Sequence, residues 1–202
     1  MTRINWMFDN KGNPATGHKP ENLSRRMFLG GCAGLTAGLI LPAGVAAALP
    51  KGGERVLSFY NTHTGEQVTT PYWIDGEYNA EGLKDLRWLL RDHRIGKAHD
   101  IDTRLLDIVY ALQQKIGAGK PGKPFHIISG YRSPKTNSML SHKGRGVAKK
   151  SLHMQGKAID IRLPHYNTLE LRKAALSLNA GGVGYYQRSN FVHLDVGRVR
   201  SW

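Results

Sequence analysis

Apolar and polar residues alternate in two short segments, 158–163 and 191–196. Strict alternation is typical of a β-strand with one buried face, because successive side chains point to opposite sides of the sheet. Among these apolar residues stand Asp160 in the first segment and His193 and Asp195 in the second. Residues i and i+2 share a face, so His193 and Asp195 are predicted side by side. Pairing of the two strands would also bring Asp160 next to His193.

The remaining pattern predicts an α+β domain. Predicted strands lie at 55–61, 66–73, 124–129 and 183–186, and predicted helices at 80–91, 102–116, 136–141 and 168–178. Asp102 is expected to cap the second helix and Gly117 to end it. Because the helices come mainly before the last strands, the order favours a small antiparallel sheet with flanking helices. Tyr185, Tyr186 and Trp202 are interpreted as packing residues, although one of the tyrosines could border a cleft.

His153, Asp160 and His193 are the strongest candidates for a metal site. Catalytic zinc typically takes three protein ligands and keeps a fourth position for water, whereas a structural site would normally include Cys. The single Cys of the chain, Cys32, lies far upstream. Buried unpaired carboxylates in apolar strands are rare because they are energetically costly. From the pattern alone, a catalytic metal site and a set of ordinary polar residues both remain open.

Two motifs give these residues a family resemblance. Ser151-x-His153-x-x-Gly156-x-Ala158-x-Asp160 followed by a late His resembles the zinc signature of the LAS metallopeptidases, which include D-Ala-D-Ala carboxypeptidases and the hedgehog signalling domain. Ser129-Gly130-Tyr131-Arg132-Ser133 matches a second element of that group. Segments 145–151, 173–177, 181–186 and 188–193 are similar to the YcbK-type branch, which includes a periplasmic murein endopeptidase.

The resemblance implies a single zinc metallopeptidase domain that acts on peptidoglycan, most simply an endopeptidase for peptide crosslinks. His153, Asp160 and His193 match the three zinc ligands of the family. Arg132 matches its arginine, which polarises the scissile carbonyl; a guanidinium suits this task because it is always charged and offers several donors. A D-Ala-D-Ala-type carboxypeptidase is the alternative within the same family.

The chain departs from the family at the general base. Many relatives carry Glu, Asp or His two or three residues before the last ligand, where this chain has Asn190 and Phe191. Asp195 is the nearest acidic residue and is predicted to be the base. In the competing interpretation, Asp195 orients a zinc ligand. Asn190 also leaves open a non-catalytic wall-binding module that contains zinc. Further candidates for proton transfer are His126, His142 and His165.

The N-terminal segment predicts export. Residues 22–30 contain the twin-arginine consensus around Arg25 and Arg26, and a Gly- and Ala-rich apolar run follows. Cleavage is expected after Ala48, so that residues 1–48 are the signal and 49–202 the metallopeptidase domain. A retained N-terminal membrane anchor is the alternative. The expected location is the periplasm, with no stable membrane insertion after cleavage.

Basic residues dominate the charge of the chain. The full chain carries 29 basic and 15 acidic residues, a net charge of +14. Five basic and two acidic residues fall within 1–48, which leaves a net charge of +11 for residues 49–202. An exported basic protein suits an anionic wall, and nucleic acid is excluded because no recognition motif is present. Lys143, Arg145, Lys149 and Lys150 form either a substrate-facing cluster or a solvated loop, and a monomer is expected.

Overall fold

An eight-stranded mixed sheet forms the centre of the computed structural model, which describes residues 41–143 and 147–202. The strands are β1 (Glu54–Asn61), β2 (Gln67–Ile74), β3 (Glu77–Tyr78), β4 (Phe125–Ser129), β5 (Ala158–Arg162), β6 (Gly182–Tyr186), β7 (Phe191–Asp195) and β8 (Arg200–Ser201). The helices are α1 (Ala43–Ala46), α2 (Ala80–Leu89), α3 (Thr103–Ile116), α4 (Pro134–Lys143) and α5 (Thr168–Leu176). Across the sheet the order is β3-β2-β1-β4-β5-β7-β6-β8.

This architecture confirms the α+β class, but the sheet is larger than the sequence pattern indicated. Two of its pairings, β1 with β4 and β6 with β8, are parallel, so the sheet is mixed rather than purely antiparallel. β3 and β8 contain two residues each. Segments this short show no measurable alternation of apolar and polar residues, which explains why the pattern did not predict them.

The long helix α3 follows the predicted bounds closely. The Asp102 side chain accepts a hydrogen bond from the backbone N–H of Arg104, and Gly117 ends the helix in the left-handed conformation with φ of 65°. An acceptor side chain at the start and a glycine just past the end are the preferred caps of helices. Leu105 and Leu112 are fully buried in the core between this helix and the sheet.

The described residues before the predicted cleavage site pack against the domain. Val45 of α1 is fully buried in the same core, and Leu41 and Ala48 pack against it. A side chain at Gly44 would come within 2.6 Å of the Leu178 carbonyl oxygen, so the backbones approach closely there. The twin-arginine motif and Cys32 lie outside the described residues. Within the described part of the chain, no helix is both long and apolar enough to cross a membrane.

The register of the last strands assembles the candidate site. Asp160 of β5 lies directly opposite His193 of β7, as the alternation predicts. On the other side of β7, Gly184 of β6 faces His193 and Tyr186 faces Phe191. Since directly opposed residues share a sheet face, these side chains all project to one side. One surface of three adjacent strands therefore carries the chemistry.

Candidate metal centre

Three side-chain atoms converge at the centre of this surface. Nε2 of His153 lies 3.2 Å from Nδ1 of His193 and 3.3 Å from Oδ1 of Asp160. Nδ1 of His193 lies 2.8 Å from the same Oδ1. All three residues are buried, with relative exposures of 3%, 6% and 9% for His153, Asp160 and His193. The structure therefore brings together the three residues predicted from the sequence.

The convergence fits a tetrahedral metal ion. Zinc lies about 2.0 to 2.1 Å from nitrogen ligands, so two ligands of a regular tetrahedron are roughly 3.3 Å apart. The separations of 2.8 to 3.3 Å match this edge length with little rearrangement. Three ligands from one side leave the fourth position toward the cavity, as in catalytic zinc sites.

A short turn presents His153 to the site. The turn at Leu152–Gln155 is a 3₁₀ helix, in which the Ser151 side chain accepts the His153 backbone N–H and Gly156 follows with φ of 64°. Nδ1 of His153 lies 2.8 Å from the carbonyl oxygen of Gly130. Because a carbonyl oxygen only accepts, Nδ1 carries the proton, and the lone pair of Nε2 faces the site.

Asp195 fixes the other imidazole. Its Oδ2 lies 3.0 Å from Nε2 of His193, the ring nitrogen that faces away from the convergence point. The guanidinium of Arg200 binds the same carboxylate through two nitrogens, at 2.6 and 3.0 Å. Asp195 is 1% exposed and receives two further backbone N–H groups, from Gly182 and Gly197. This position favours the orienting role over the general-base role, since the carboxylate already accepts five hydrogen bonds.

The carboxylates and imidazoles of the site shift one another's pKa values. Burial alone would lower the pKa of His193, but hydrogen bonds with Asp160 and Asp195 raise it to about 9. Burial would likewise raise the pKa of Asp160, yet the two imidazoles hold that pKa well below its usual range. The pKa of Asp195 is also lowered, because hydrogen bonds from His193 and Arg200 outweigh its burial.

Arg132 lies beside Asp160, one of the three candidate metal ligands. Its guanidinium lies 3.6 Å from Oδ2 of Asp160 and is held by Ser129 Oγ and Asn137 Oδ1 at 3.2 and 3.4 Å. Nε of Arg132 is buried and has no hydrogen-bond partner among the described residues. The residue also lines the cavity above the candidate ligands, so its guanidinium is placed beside any molecule that binds there.

A cavity of about 290 Å³ opens onto these groups. Arg132 and Lys150 line one part, and Tyr186, Phe191 and Trp202 form an aromatic wall. Trp202, interpreted from the sequence as a packing residue, does pack against Gly184, but it is also 46% exposed and lines the cavity. Neither Trp202 nor Arg200 was predicted as a site residue, since β8 leaves no pattern in the sequence.

Asn190, at the position of the usual general base, and the three further histidine candidates all lie away from the metal ligands. Asn190 ends the turn Gln187–Ser189 in the left-handed conformation, and its side chain hydrogen-bonds Thr168 rather than facing the metal ligands. His126 and His165 line a separate cleft, and His142 hydrogen-bonds the Ser138 carbonyl oxygen. Of the predicted basic cluster, Lys150 lines the cavity, whereas Arg145 lies outside the described residues.

The fold is α+β, and its sheet places a buried cluster of two histidines and one aspartate below a cavity. Both features agree with the resemblance to the LAS metallopeptidases. Residues 50–202 match the family described as Peptidoglycan L,D-endopeptidase MepK. The chain is 43% identical over 181 residues to the Peptidoglycan L,D-endopeptidase MepK of Escherichia coli, covering 90% of this chain and 97% of that protein. It is 38% identical over 183 residues to the Probable peptidoglycan L,D-endopeptidase MepK of Haemophilus influenzae, covering 90% and 96%. The chain therefore belongs to the MepK family, which confirms the resemblance.

Proposed function

We propose that this protein is a zinc-dependent endopeptidase that cleaves peptide crosslinks of peptidoglycan in the periplasm. The observation that carries the proposal is the meeting of His153 Nε2, His193 Nδ1 and Asp160 Oδ1 within 3.3 Å of one another. All three atoms offer lone pairs when both imidazoles are neutral, which is the form that binds a divalent metal ion. His/Asp/His ligation with an open fourth position suits zinc best among the common divalent ions.

Arg132 is proposed to bind the scissile carbonyl oxygen and to stabilise the negative charge that develops on it. Its side chain is only 12% exposed, lies 3.6 Å from the Asp160 carboxylate and lines the cavity, and a guanidinium keeps its charge in such a setting. A preorganised donor in a site of low dielectric stabilises such charge more strongly than the same donor in water. When bound, the zinc ion supplies Lewis-acid activation of a water molecule and of the carbonyl group.

Asp195 is proposed to act on His193 rather than on the substrate. By accepting a hydrogen bond from Nε2–H, the carboxylate keeps the Nδ1 lone pair of His193 directed toward the metal position. Arg200 in turn holds Asp195 in a two-point ion pair, so the ring orientation is set by a chain of three side chains. This assignment replaces the general-base role that the sequence suggested for Asp195.

The substrate is proposed from the relatives and from charge. Curated relatives at 43% and 38% identity are named peptidoglycan L,D-endopeptidases, and we extend that bond specificity to this chain. Stem peptides carry carboxylates, which complement Lys150 at the cavity and the net charge of +11 over residues 49–202. Twin-arginine export, removal of residues 1–48 and action as a monomer complete the proposal.

The test uses the purified protein with intact sacculi and with defined muropeptide dimers, one set joined by L,D-crosslinks and one by D,D-crosslinks. We expect cleavage of the L,D set, with product masses that identify the bond. His153→Ala removes a metal ligand and should abolish cleavage. Arg132→Lys should lower kcat, whereas the exposed control Arg94→Lys should not. Stoichiometric zinc without product from either dimer would contradict the peptidase and support a wall-binding module.

A further inference from the structure

The aromatic wall of the cavity has no part in the roles proposed above. Tyr186 stacks on Phe191, its cross-strand neighbour, with ring centroids 4.5 Å apart and an angle of 16° between the planes. The Trp202 indole lies 5.2 Å from the His193 ring, between centroids. All three aromatic residues line the same cavity as Arg132. A peptide that occupies this cavity would therefore lie beside both the candidate metal ligands and the aromatic wall.

The indole of Trp202 sets the direction of the Tyr186 hydroxyl. Nε1–H of Trp202 donates to Oη of Tyr186 at 3.2 Å. An indole nitrogen is a donor only, so the phenolic oxygen must be the acceptor, and the phenolic proton remains available. Within residues 41–143 and 147–202, no acceptor for that proton lies within hydrogen-bond distance. The hydroxyl is thus a positioned donor at the cavity surface.

Backbone contacts hold Trp202 in place independently of its side chain. Its N–H donates to the Val183 carbonyl at 3.3 Å, and its carbonyl accepts the Tyr185 N–H at 3.0 Å. A Cβ at Gly184 would lie 2.7 Å from the indole ring, so a glycine is required for the indole to rest there. β6 therefore supplies both the gap for Trp202 and, two residues later on the same face, the hydroxyl that Trp202 orients.

We propose that Tyr186 is a substrate-binding residue whose hydroxyl donates a hydrogen bond to an oxygen of the bound peptide, and that Trp202 is its positioning residue. The proposal rests on the proposed function, since it takes the occupant of the cavity to be a peptidoglycan stem peptide. The oxygen belongs either to a backbone carbonyl or to a stem carboxylate. Both are acceptors of the same hydrogen bond, and they are distinguished by amidation of the carboxylate.

The first test is Tyr186→Phe, which keeps the ring and its stacking on Phe191 but removes the hydroxyl. Loss of one such hydrogen bond corresponds to a change of about 3- to 10-fold. We expect KM for the L,D-crosslinked dimer to rise by this factor, with kcat within about twofold and zinc content unchanged. The matched control is Tyr60→Phe, because Tyr60 packs on His126 away from the cavity. Thermal melting verifies that each variant folds.

The second test asks whether Trp202 acts through Tyr186. Trp202→Phe retains an aromatic ring and the backbone hydrogen bonds but lacks the N–H. We expect a smaller rise in KM than for Tyr186→Phe, and the double variant should bind no more weakly than Tyr186→Phe alone, because residues in one network are not additive. Trp88→Phe, at a residue that is 53% exposed on α2, is the control.

Three results would overturn the proposal. These are an unchanged KM for Tyr186→Phe, a fall in kcat without a change in KM, and independent effects of the two substitutions that multiply in the double variant. Calorimetric binding of the same dimer to the zinc-loaded proteins separates this proposal from the proposed function. Weaker binding by Tyr186→Phe supports the inference even if the wild type cleaves nothing. Amidation of a carboxylate removes its charge but keeps a carbonyl oxygen, so a carboxylate acceptor predicts a smaller difference between wild type and Tyr186→Phe after amidation. With a backbone carbonyl the difference is unchanged.

Discussion

Replacement of Asp195 by Asn is the substitution that best separates an orienting residue from a general base. Within the described part of the chain, every hydrogen-bond partner of the Asp195 carboxylate is a donor. Oδ1 accepts from two backbone N–H groups and from Arg200, and Oδ2 accepts from His193 and Arg200. An Asn amide must place its NH₂ group against one of these sets of donors. The carboxamide has nearly the shape of the carboxylate, so the effect is on proton positions rather than packing.

The tautomer of His193 is expected to change in this variant. If the amide NH₂ occupies the Oδ2 position, Nε2 of His193 becomes an acceptor and its proton moves to Nδ1, which faces the metal position. The loss of an orienting carboxylate typically costs about 10- to 100-fold in metal affinity. That range corresponds to roughly 1.4 to 2.7 kcal/mol of binding free energy.

The assay is zinc affinity by competition with a chromophoric chelator, together with kcat at saturating zinc. For Asp195→Asn we expect affinity to fall by the factor above and most of kcat to return once zinc is saturating. Asp107→Asn is the matched control. Asp107 is also fully buried, paired with Arg55 at 3.0 Å and hydrogen-bonded to Tyr72, but it lies away from the cavity. The Asp107→Asn variant should be less stable than the wild type but should bind zinc with unchanged affinity.

The opposite result would refute this reasoning. Unchanged zinc affinity together with a fall of about 100-fold or more in kcat at saturating zinc would identify Asp195 as a proton acceptor in the reaction. The orienting role would then be wrong, and the general-base role predicted from the sequence would stand.

Three further predictions concern other parts of the structure. Gly156→Ala should displace the turn that carries His153 and reduce the measured zinc content, because φ is +64° and a Cβ would lie 2.0 Å from a backbone oxygen. The control is Gly96→Ala, where φ is +65° and the space around the Cβ is open; it should leave the zinc content unchanged. Burial and nearby positive charges lower the pKa of His93 to about 4, against about 6.5 in the unfolded chain. Its contribution to stability is therefore complete above pH 6.5 and is lost as pH falls toward 4. In His93→Gln, the free energy of unfolding in urea should depend less on pH in this range. An unchanged pH dependence would contradict this. In a chain that begins at residue 38, Val45→Ala should lower the free energy of unfolding by about 1 to 2.5 kcal/mol, because the side chain is fully buried; no loss would mean that this segment does not pack on the domain in solution.

Much of the metal site could be predicted because strand periodicity determines which residues share a face. The alternation in β5 and β7 placed Asp160 beside His193, and the observed register pairs them directly. Periodicity could not decide between the two roles considered for Asp195, because it puts the residue next to His193 without specifying which ring nitrogen it reaches. In the structure Asp195 reaches Nε2 of His193, and Arg200 binds both oxygens of the same carboxylate.

The aromatic wall illustrates what lies beyond local sequence pattern. Trp202 reaches the cavity only because β8 pairs in parallel with β6 and because Gly184 leaves room for its indole. Both conditions concern residues that are distant along the chain. Asn190 is the converse example. Its place in the sequence suggested a lost general base, yet its left-handed conformation and its hydrogen bond to Thr168 turn it away from the cavity.

The most direct test of the central claim is to restore zinc stepwise to protein stripped by a chelator, while bound metal and cleavage of an L,D-crosslinked muropeptide dimer are measured in the same samples. The His153, Asp160 and His193 site predicts no cleavage in the stripped protein and activity that rises in proportion to occupancy, reaching its maximum at one zinc per chain. His153→Ala should neither bind zinc tightly nor recover. Full cleavage by the metal-free protein, or full occupancy without any cleavage, would contradict the account.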